Sequence, residues 1–568
     1  MPPVAGLARL RRELSARSRW AGVLDRIEWL LLGLGCTLLI GLHVVLFRHM
    51  GAFWRDEASS IHVARAQFFR QFWGSLVHDS FPALFDGLLK LWIWSGPGGS
   101  EIGLRLFGTL AGVGLVFAVI VACRLLDAEN SNAPLLALAL AGFNESVFYF
   151  GSSLRAYGLA ASLSVLCLAS FWRLVRSPGV HTAVAALLLA LLSLHSNYQN
   201  CYLLFGTGVG GAVSCAARCR WKRATLVLAI CCTAALSMLV YLPTIRSYQA
   251  STGFGTGMLT LSIDLLMHQA ADVVSRGSPY LPALWSLLGL LALVALPARI
   301  IWDRRSPAQQ AEPSLPMFCL TAGIVSLAAA ATFFLHNGNF PHPWHFTPLV
   351  AFTAVLIDTG LRLPRHSVWL ACPRILFAVA IVSVSLPVLG YTMHLRRTNI
   401  DLVLKTLEGR AGPADLVVVH PFWLVNSFDH YYTGHVDWIT IPAFPKTELY
   451  DATGGGPIRK ATCTRDALRP TLRRMAETLM RGKRVWIVGN MRLLPEGETP
   501  PDIGPAPDPH WGSGTDQYAW VWGLQSAYYL QHHARRAEVA HVPCGQPVSA
   551  LEDVSLLSFE GWNDGTLR

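Results

Sequence analysis

The chain has 568 residues, of which 52% are hydrophobic and only 14% charged, and its formal net charge is +11. A soluble protein carries about 25% charged residues, so the composition excludes an ordinary water-soluble globule and points to a polytopic membrane protein. The basic residues fall in clusters between apolar runs rather than along one stripe, and no basic–aromatic module is present, which excludes nucleic acid as a partner.

In chain order, residues 1–26 form a basic arm, "MPPVAGLARLRRELSARSRWAGVLDR", that leads into an apolar run from Ile27 to Phe47. That run is too long for a signal-peptide core and no small-residue cleavage site follows it, so it predicts an uncleaved first helix. Further runs of spanning length fall at 102–124, 133–151, 154–172, 181–197, 198–214, 224–245, 282–301, 315–336, 345–362 and 370–391, about eleven in all. The 181–214 stretch reads either as two short helices or as one long helix with a re-entrant piece. With the N-terminus in the cytoplasm, the short inner loops carry thirteen Lys and Arg residues and the short outer loops only Arg246 and Arg276. That bias fixes the orientation and the odd parity. The chain is therefore expected in the plasma (inner) membrane, with two large outer segments, the first loop 48–101 and the tail 392–568.

Within the first loop, "IHVARAQFFRQFWGSL" has apolar residues at helical spacing and predicts a helix lying in the interface plane. In the tail, "DLVVVH" (415–420) and "RVWIVGN" (484–490) read as buried strands, and "TRDALRPTLRRMAETLM" (464–480) as a helix with Pro470 near its first turns. The Pro- and Gly-rich "LLPEGETPPDIGPAPDPHWGSG" reads as a mobile loop. The expected architecture is a polytopic α-helical membrane domain (27–391) followed by a small C-terminal α/β extracytoplasmic domain (392–568). Cys463 and Cys544 are the only cysteines of that domain, and an oxidising compartment would permit a bridge between them.

Chemistry-bearing residues gather at the expected outer face. "FWRDEASSIHVAR" places Asp56 and Glu57 side by side just after the first helix; "HDSFPALFDGLLKLW" holds His78, Asp79 and Lys90. Arg155 and Tyr157 stand at the mouth of a spanning helix, where an arginine is costly without a partner or ligand. His195 ends another helix, and "HNGNFPHPWHFTPLV" brings His336, His342 and His345. The histidines lack the helical spacing of a zinc site, which leaves a divalent metal ion as a possible cofactor only. A solvated carboxylate pair and a hydrogen-bonded helix-end histidine are the bland readings of Asp56–Glu57 and of His195. The gathering of carboxylate, arginine and histidine on one face exceeds what solvation requires.

The order of these motifs resembles the GT-C glycosyltransferases, in the bacterial branch of protein O-mannosyltransferases and the aminoarabinose transferase of lipid A. The resemblance rests on "RDEAS", on the His-x-Pro-like "HDSFPALFDGLLKLW", on "RLFGTLAG" from Arg105, on "SLRAYGLA" and on "LHSNY", and it covers roughly 27–391. It implies a GT-C fold and a transfer of sugar from a polyprenyl-phosphate carrier to an acceptor hydroxyl on a protein, a lipid or a polysaccharide. A carboxylate would take the hydroxyl proton and cations would meet the leaving phosphate. By that resemblance Asp56 is the general base, Glu57 positions it or the acceptor, and Arg155, with Lys90 or Arg105, meets the phosphate. His78, Asp79, Tyr157, His195 and His345 complete the expected substrate site. The sequence departs from the family at Ser153, where an acidic residue usually stands, and at His345–Phe346, where many relatives carry Arg-Tyr. The alternative is a transporter or flippase for a lipid-linked sugar, which would not need the paired carboxylate or a folded outer domain.

Overall fold

The computed structural model describes residues 4–79, 81–127, 132–252, 262–276, 278–303, 312–337, 341–362, 368–445, 456–506 and 515–563. Eight of its helices are long and apolar enough to cross a membrane: Gly22–His49, Glu101–Leu126, Tyr157–Arg176, Trp221–Ser247, Leu281–Asp303, Leu315–His336, Pro343–Leu361 and Cys372–Thr392. Of the other three expected runs, two form as short helices and one is broken. The 181–214 stretch resolves into two helices of 17 residues, Val180–Ser196 and Asn200–Ala216. At 1.5 Å per residue each is about 26 Å long, slightly under the roughly 30 Å hydrocarbon thickness. The 133–151 stretch is broken. Leu135–Ala137 passes into a π turn, Leu138–Gly142, and a new helix, Glu145–Gly151, starts after Asn144. The break follows from residue type: the Asn144 side chain accepts from Val147 N at 3.0 Å and so caps the new helix.

The first loop also departs from the single interfacial helix expected of it. Two helices form, Arg55–Ala64 and Phe69–Ser75, and Lys90 donates to the carbonyls of Ala64 and Ala66 where the first one ends. Those carbonyls have no helical partner of their own. Phe68 and Phe69 at the second helix are largely exposed, as interface anchoring requires. A third helix, Ala83–Trp94, closes the loop. The glycines of "RLFGTLAG" let the mouth of the next span approach. A Cβ at Gly108 would lie 2.8 Å from the Ser153 carbonyl oxygen, and one at Gly112 would lie 2.3 Å from Ser152 Oγ. Only glycine lets the 152–155 turn rest against Glu101–Leu126 in this way.

The C-terminal part carries a five-stranded sheet: β1 (Leu416–His420), β2 (Asp437–Thr440), β3 (Arg484–Gly489), β4 (Ala534–Val539) and β5 (Leu556–Trp562), in the order β2-β1-β3-β5-β4. β1 runs parallel to β2 and β3, while β5 is antiparallel to β3 and β4. The central strands β1 and β3 are apolar on both faces because both faces are covered. Leu416, Val418, Val485, Ile487, Leu557 and Phe559 pack under Arg469–Met480 and Thr515–His533, with Pro470 in the first turn of the former. Val417, Val419, Trp486, Val488 and Leu556 pack with Ile400–Glu408, Val425–Tyr431 and Ala52 of the first loop.

This two-faced packing explains why the expected bridge is missing. Both cysteines are free thiols. Cys463 packs with the first of these clusters, whereas Val542, two residues before Cys544, packs with the second; the sheet stands between them. The expected mobile loop also differs in its first part. Residues 493–506 are tied to Thr515–His533 by Leu494 N to Gln531 Oε1, Gln531 Nε2 to Leu494 O, Gln525 Nε2 to Pro501 O and Tyr518 Oη to Gly504 O. Residues 507–514 lie outside the described residues.

The sheet domain is bolted to the bundle just past the last span. Arg397 N donates to Met50 O at 2.7 Å, and Arg396 N and O pair with Pro547 O and Ser549 N. Tyr431 Oη accepts from Phe53 N at 2.8 Å, and Glu552 Oε2 accepts from Arg55 N at 2.9 Å. Burial pushes the Glu552 carboxyl up to about 7 against the pull of the Arg55 N–H. A raised folded-state pKa means that docking tightens proton binding. The stabilising contribution is therefore complete below about pH 4.5 and is lost as pH rises toward about 7. Glu552→Gln keeps the acceptor and cannot ionise. Melting profiles of parent and variant in detergent should coincide near pH 4.5 and diverge toward pH 7, the parent losing a few degrees relative to E552Q. Parallel profiles would show that Glu552 does not carry this dependence.

Candidate functional site

Asp56 and Glu57 lie in the first turn of Arg55–Ala64, and Trp54 before them is buried. Consecutive residues on a helix point about 100° apart, so the two carboxylates diverge. Glu57 turns inward and is 2% exposed. Its Oε1 accepts from Leu154 N at 2.9 Å and lies 3.3 Å from Arg397 Nε. Asp56 faces the mouth. Its side chain is 28% exposed, and the ion pair recorded for it is with Arg55 Nε at 3.5 Å.

Beneath them sits Arg155, 4% exposed. Its Nη2 lies 2.9 Å from Asp79 Oδ1. Its Nη1 donates to Asp79 Oδ2 at 3.1 Å, to Ser60 Oγ at 2.8 Å and to the Asp56 carbonyl at 3.1 Å. The guanidinium thus holds the backbone of the residue whose carboxylate faces out. Asp86, on the Ala83–Trp94 helix, is fully buried next to this group, and among the described residues neither of its oxygens has a hydrogen-bond partner within normal geometry. Burial, then the neighbouring Asp79 carboxylate, push Asp86 well above the usual carboxylate range, with Arg155 opposing. That direction favours the protonated form of Asp86, which would leave Arg155 and Asp79 as a balanced pair, the condition for burying an ion pair at all.

The other expected residues fall into two sets. Tyr157 and His345 join the site. Tyr157 packs edge-on against Phe81 and Phe150. His345 Nδ1 accepts from His342 N at 3.1 Å, and this turn carries Trp344 against Trp54 and Phe150. His342 itself lies within electrostatic reach of Arg55 and Asp56. Lys90, Arg105 and His195 are engaged elsewhere. Lys90 holds the two carbonyls described above. Arg105 sits 3.5 Å from Glu101 and over the Phe53 ring at 4.5 Å. His195 bonds Tyr241 Oη at 2.8 Å and Ser237 Oγ at 3.0 Å. Tyr241 Oη also accepts from Ala83 N, so His195 braces the helix that carries Asp86. The His78 side chain lies outside the described residues.

Among the described residues no group of three or more His, Cys, Asp or Glu side chains is placed to hold a metal ion. His336 bonds its own helix at Thr332 O, apart from the His342–His345 pair. The residues that sequence reasoning passed over are Ser60, Asp86, Arg397 and Glu552. Ser60 stands four residues after Asp56, one helical turn on, and Asp86 lies inside the quoted "HDSFPALFDGLLKLW" motif. Arg397 and Glu552 come from the far end of the chain and carry no local signal.

No protein-family model matches the chain, and no curated protein matches it. Among solved structures it is similar to ArnT from Cupriavidus metallidurans in the apo state, at 13% identity and TM-score 0.49, over 81% of this chain and 92% of that one. The same protein bound to undecaprenyl phosphate gives 13% identity and TM-score 0.47, over 80% and 92%. The archaeal oligosaccharyltransferase AglB from Archaeoglobus fulgidus, in complex with an inhibitory peptide and a dolichol-phosphate, gives 10% and 0.44, over 92% and 74%.

The charge arrangement around Arg155 has a measurable signature. Asp86→Asn replaces a neutral acid with a neutral amide and should be tolerated. Asp79→Asn should cost less than the about 3–5 kcal/mol typical of an orphaned buried charge, because Asp86 can ionise in its place. The double variant has no such reserve. Its loss of thermal stability should exceed the sum of the two singles by on the order of 1–3 kcal/mol. Additive losses would mean that the two aspartates do not share the arginine.

Proposed function

We propose that the protein is a membrane glycosyltransferase that moves a sugar from a polyprenyl-phosphate-linked donor to an acceptor hydroxyl at the outer membrane face, with inversion at the anomeric carbon. The observation that carries this reading is the accessibility of one carboxylate. Of the four acids gathered around Leu154 and Arg155, Glu57, Asp79 and Asp86 are 2%, 6% and 0% exposed, and Asp56 alone opens to the mouth. The motif order in the sequence and the long apolar helices, suited to a lipid-tailed donor, support it.

In this mechanism the Asp56 carboxylate takes the proton of the acceptor hydroxyl. The oxygen attacks the anomeric carbon, and the bond to the carrier phosphate breaks with its electron pair leaving on the phosphate oxygen. One proton and one sugar are exchanged, and a single displacement by one base inverts the centre. Arg155 acts as a positioning residue through its bond to the Asp56 carbonyl. Arg55, whose side chain is 29% exposed beside Asp56, is the cation best placed to meet the phosphate. Glu57 fixes the first turn of the helix from below.

Transfer of labelled sugar from polyprenyl-phosphate donors by the purified protein in liposomes tests this. Asp56→Asn keeps the size and removes the proton acceptor. Since general base catalysis contributes about 10²–10⁴-fold, turnover should fall by that order while donor binding survives. Turnover within a few-fold of the parent would overturn the assignment of Asp56.

A further inference from the structure

A second cavity lies in the sheet domain. It has a volume of about 480 Å³ and sits between the start of Arg469–Met480, one face of Thr515–His533 and the 502–505 segment. Tyr518 and Trp522, one helical turn apart, form its inner wall with ring centroids 5.4 Å apart. Arg465 and Arg469 stand at its rim, exposed and without an ion-pair partner among the described residues, and Asp502 faces it from the opposite segment. That segment is fixed, since Tyr518 Oη donates to Gly504 O at 2.6 Å and Gln525 Nε2 to Pro501 O at 3.1 Å. The site is therefore built rather than accidental: an aromatic wall, Arg465, Asp466 and Arg469 on one rim, Asp502 on the other, and a backbone held in place.

We propose that this cavity binds a glycan and that it is the acceptor site of the enzyme. A guanidinium only donates and a carboxylate only accepts. A hydroxyl does both, so a ring bearing several hydroxyls satisfies Arg465, Arg469 and Asp502 together while its apolar edge meets Tyr518 and Trp522. The volume falls within the range of small-molecule sites, about 300–1,000 Å³, and suits one or two sugar rings. A peptide recognised by main-chain pairing would need an exposed sheet edge. The edges here are β2 and β4, and helix and coil border the cavity instead. The Thr515–His533 helix connects the cavity to the active carboxylate. Arg55, next to Asp56, lies over the Trp423 ring at 5.8 Å, and Trp423 packs against the same cluster as Tyr518 and Trp522. A glycan acceptor anchored in the cavity would extend along this helix to reach Asp56. The acceptor role rests on the glycosyltransferase reading; the binding itself does not.

The test uses the full-length protein in detergent, titrated calorimetrically with maltotriose, chitotriose, tri-galacturonate and an unglycosylated Ser/Thr-rich peptide. At least one oligosaccharide should bind saturably. Asp502→Asn and Arg469→Ala, both at exposed positions and expected to keep the parent melting temperature, should each weaken it by roughly tenfold or more. The peptide should not bind. Binding of the peptide alone, no saturable binding by any oligosaccharide, or affinity unchanged in both variants would overturn the proposal. Asp56→Asn should bind the same oligosaccharide as the parent. A protein that binds it but transfers no sugar would refute the transferase reading and leave the glycan site standing.

Discussion

Two buried arginines hold the mouth of this molecule together. Arg155 and Arg397 are 4% and 2% exposed, and each faces one carboxylate of the first loop, Asp79 and Glu57. A buried guanidinium is tolerable only when its charge is balanced and most of its donors are placed. Those demands fix distant pieces of chain to one another. Arg155 gathers Ser60, Asp79 and the Asp56 carbonyl. Arg397 reaches Glu57, the Tyr149 carbonyl at 2.8 Å and the Tyr149 ring at 4.4 Å. Glu57 closes the circuit through Leu154 N, next to Arg155 itself. The first loop, the broken 133–151 segment, the mouth at 152–155 and the start of the sheet domain are held by these contacts.

A matching network ties the opposite end of the bundle. Arg362 lies 2.6 Å from Asp358, and Arg374 bridges Asp358 at 3.2 Å and Glu28 at 3.4 Å. Arg362 Nη1 donates to Cys123 O, and Glu28 accepts from Ala133 N. The first and the last two long helices are thus joined at this end by ion pairs, and the second by the hydrogen bond from Arg362 to Cys123 O. Arg124, Arg362 and Arg374 are among the basic residues of the short loops on one side of the expected topology, and Asp56, Arg155 and His345 fall on the other. The structure gathers each set at its own end of the bundle.

Much of this was legible in sequence because the signals are local. The apolar runs set helix positions, the all-apolar "LVVV" and "VWIV" mark the covered strands, and the cost of Arg155 at a helix mouth announces that a partner exists. What the sequence withheld was the identity of partners set by tertiary approach. Asp86 reads as one more polar residue in an amphipathic helix until burial leaves it beside Asp79. Arg397 reads as a loop cation after the last span, and the same residue is a charge hub once the chain doubles back to Met50. The sheet likewise decides against a Cys463–Cys544 bridge, since alternation along its strands assigns the two segments to clusters on opposite faces. The 133–151 break was readable in principle: Asn144 followed by Glu145 inside an apolar run is a cap signal, and the hydropathy of the run masked it.

Helix geometry gives the adjacent carboxylates their meaning. Two neighbours on a helix point about 100° apart, and the Asp-Glu pair at the head of Arg55–Ala64 presents one acid inward and one outward. The inward Glu57 is held by a backbone N–H and an arginine, which fixes the rotation of the helix about its own axis. That rotation decides where the outward Asp56 points. The carbonyl of Asp56 is gripped from the same side by Arg155, so its position along the axis is fixed as well. A carboxylate held by its backbone and left open at its side chain can be aimed without being neutralised or buried. The base role proposed for Asp56 needs that combination. A lone aspartate on a free loop would be exposed but unaimed, and a doubly buried pair would be aimed but closed to substrate.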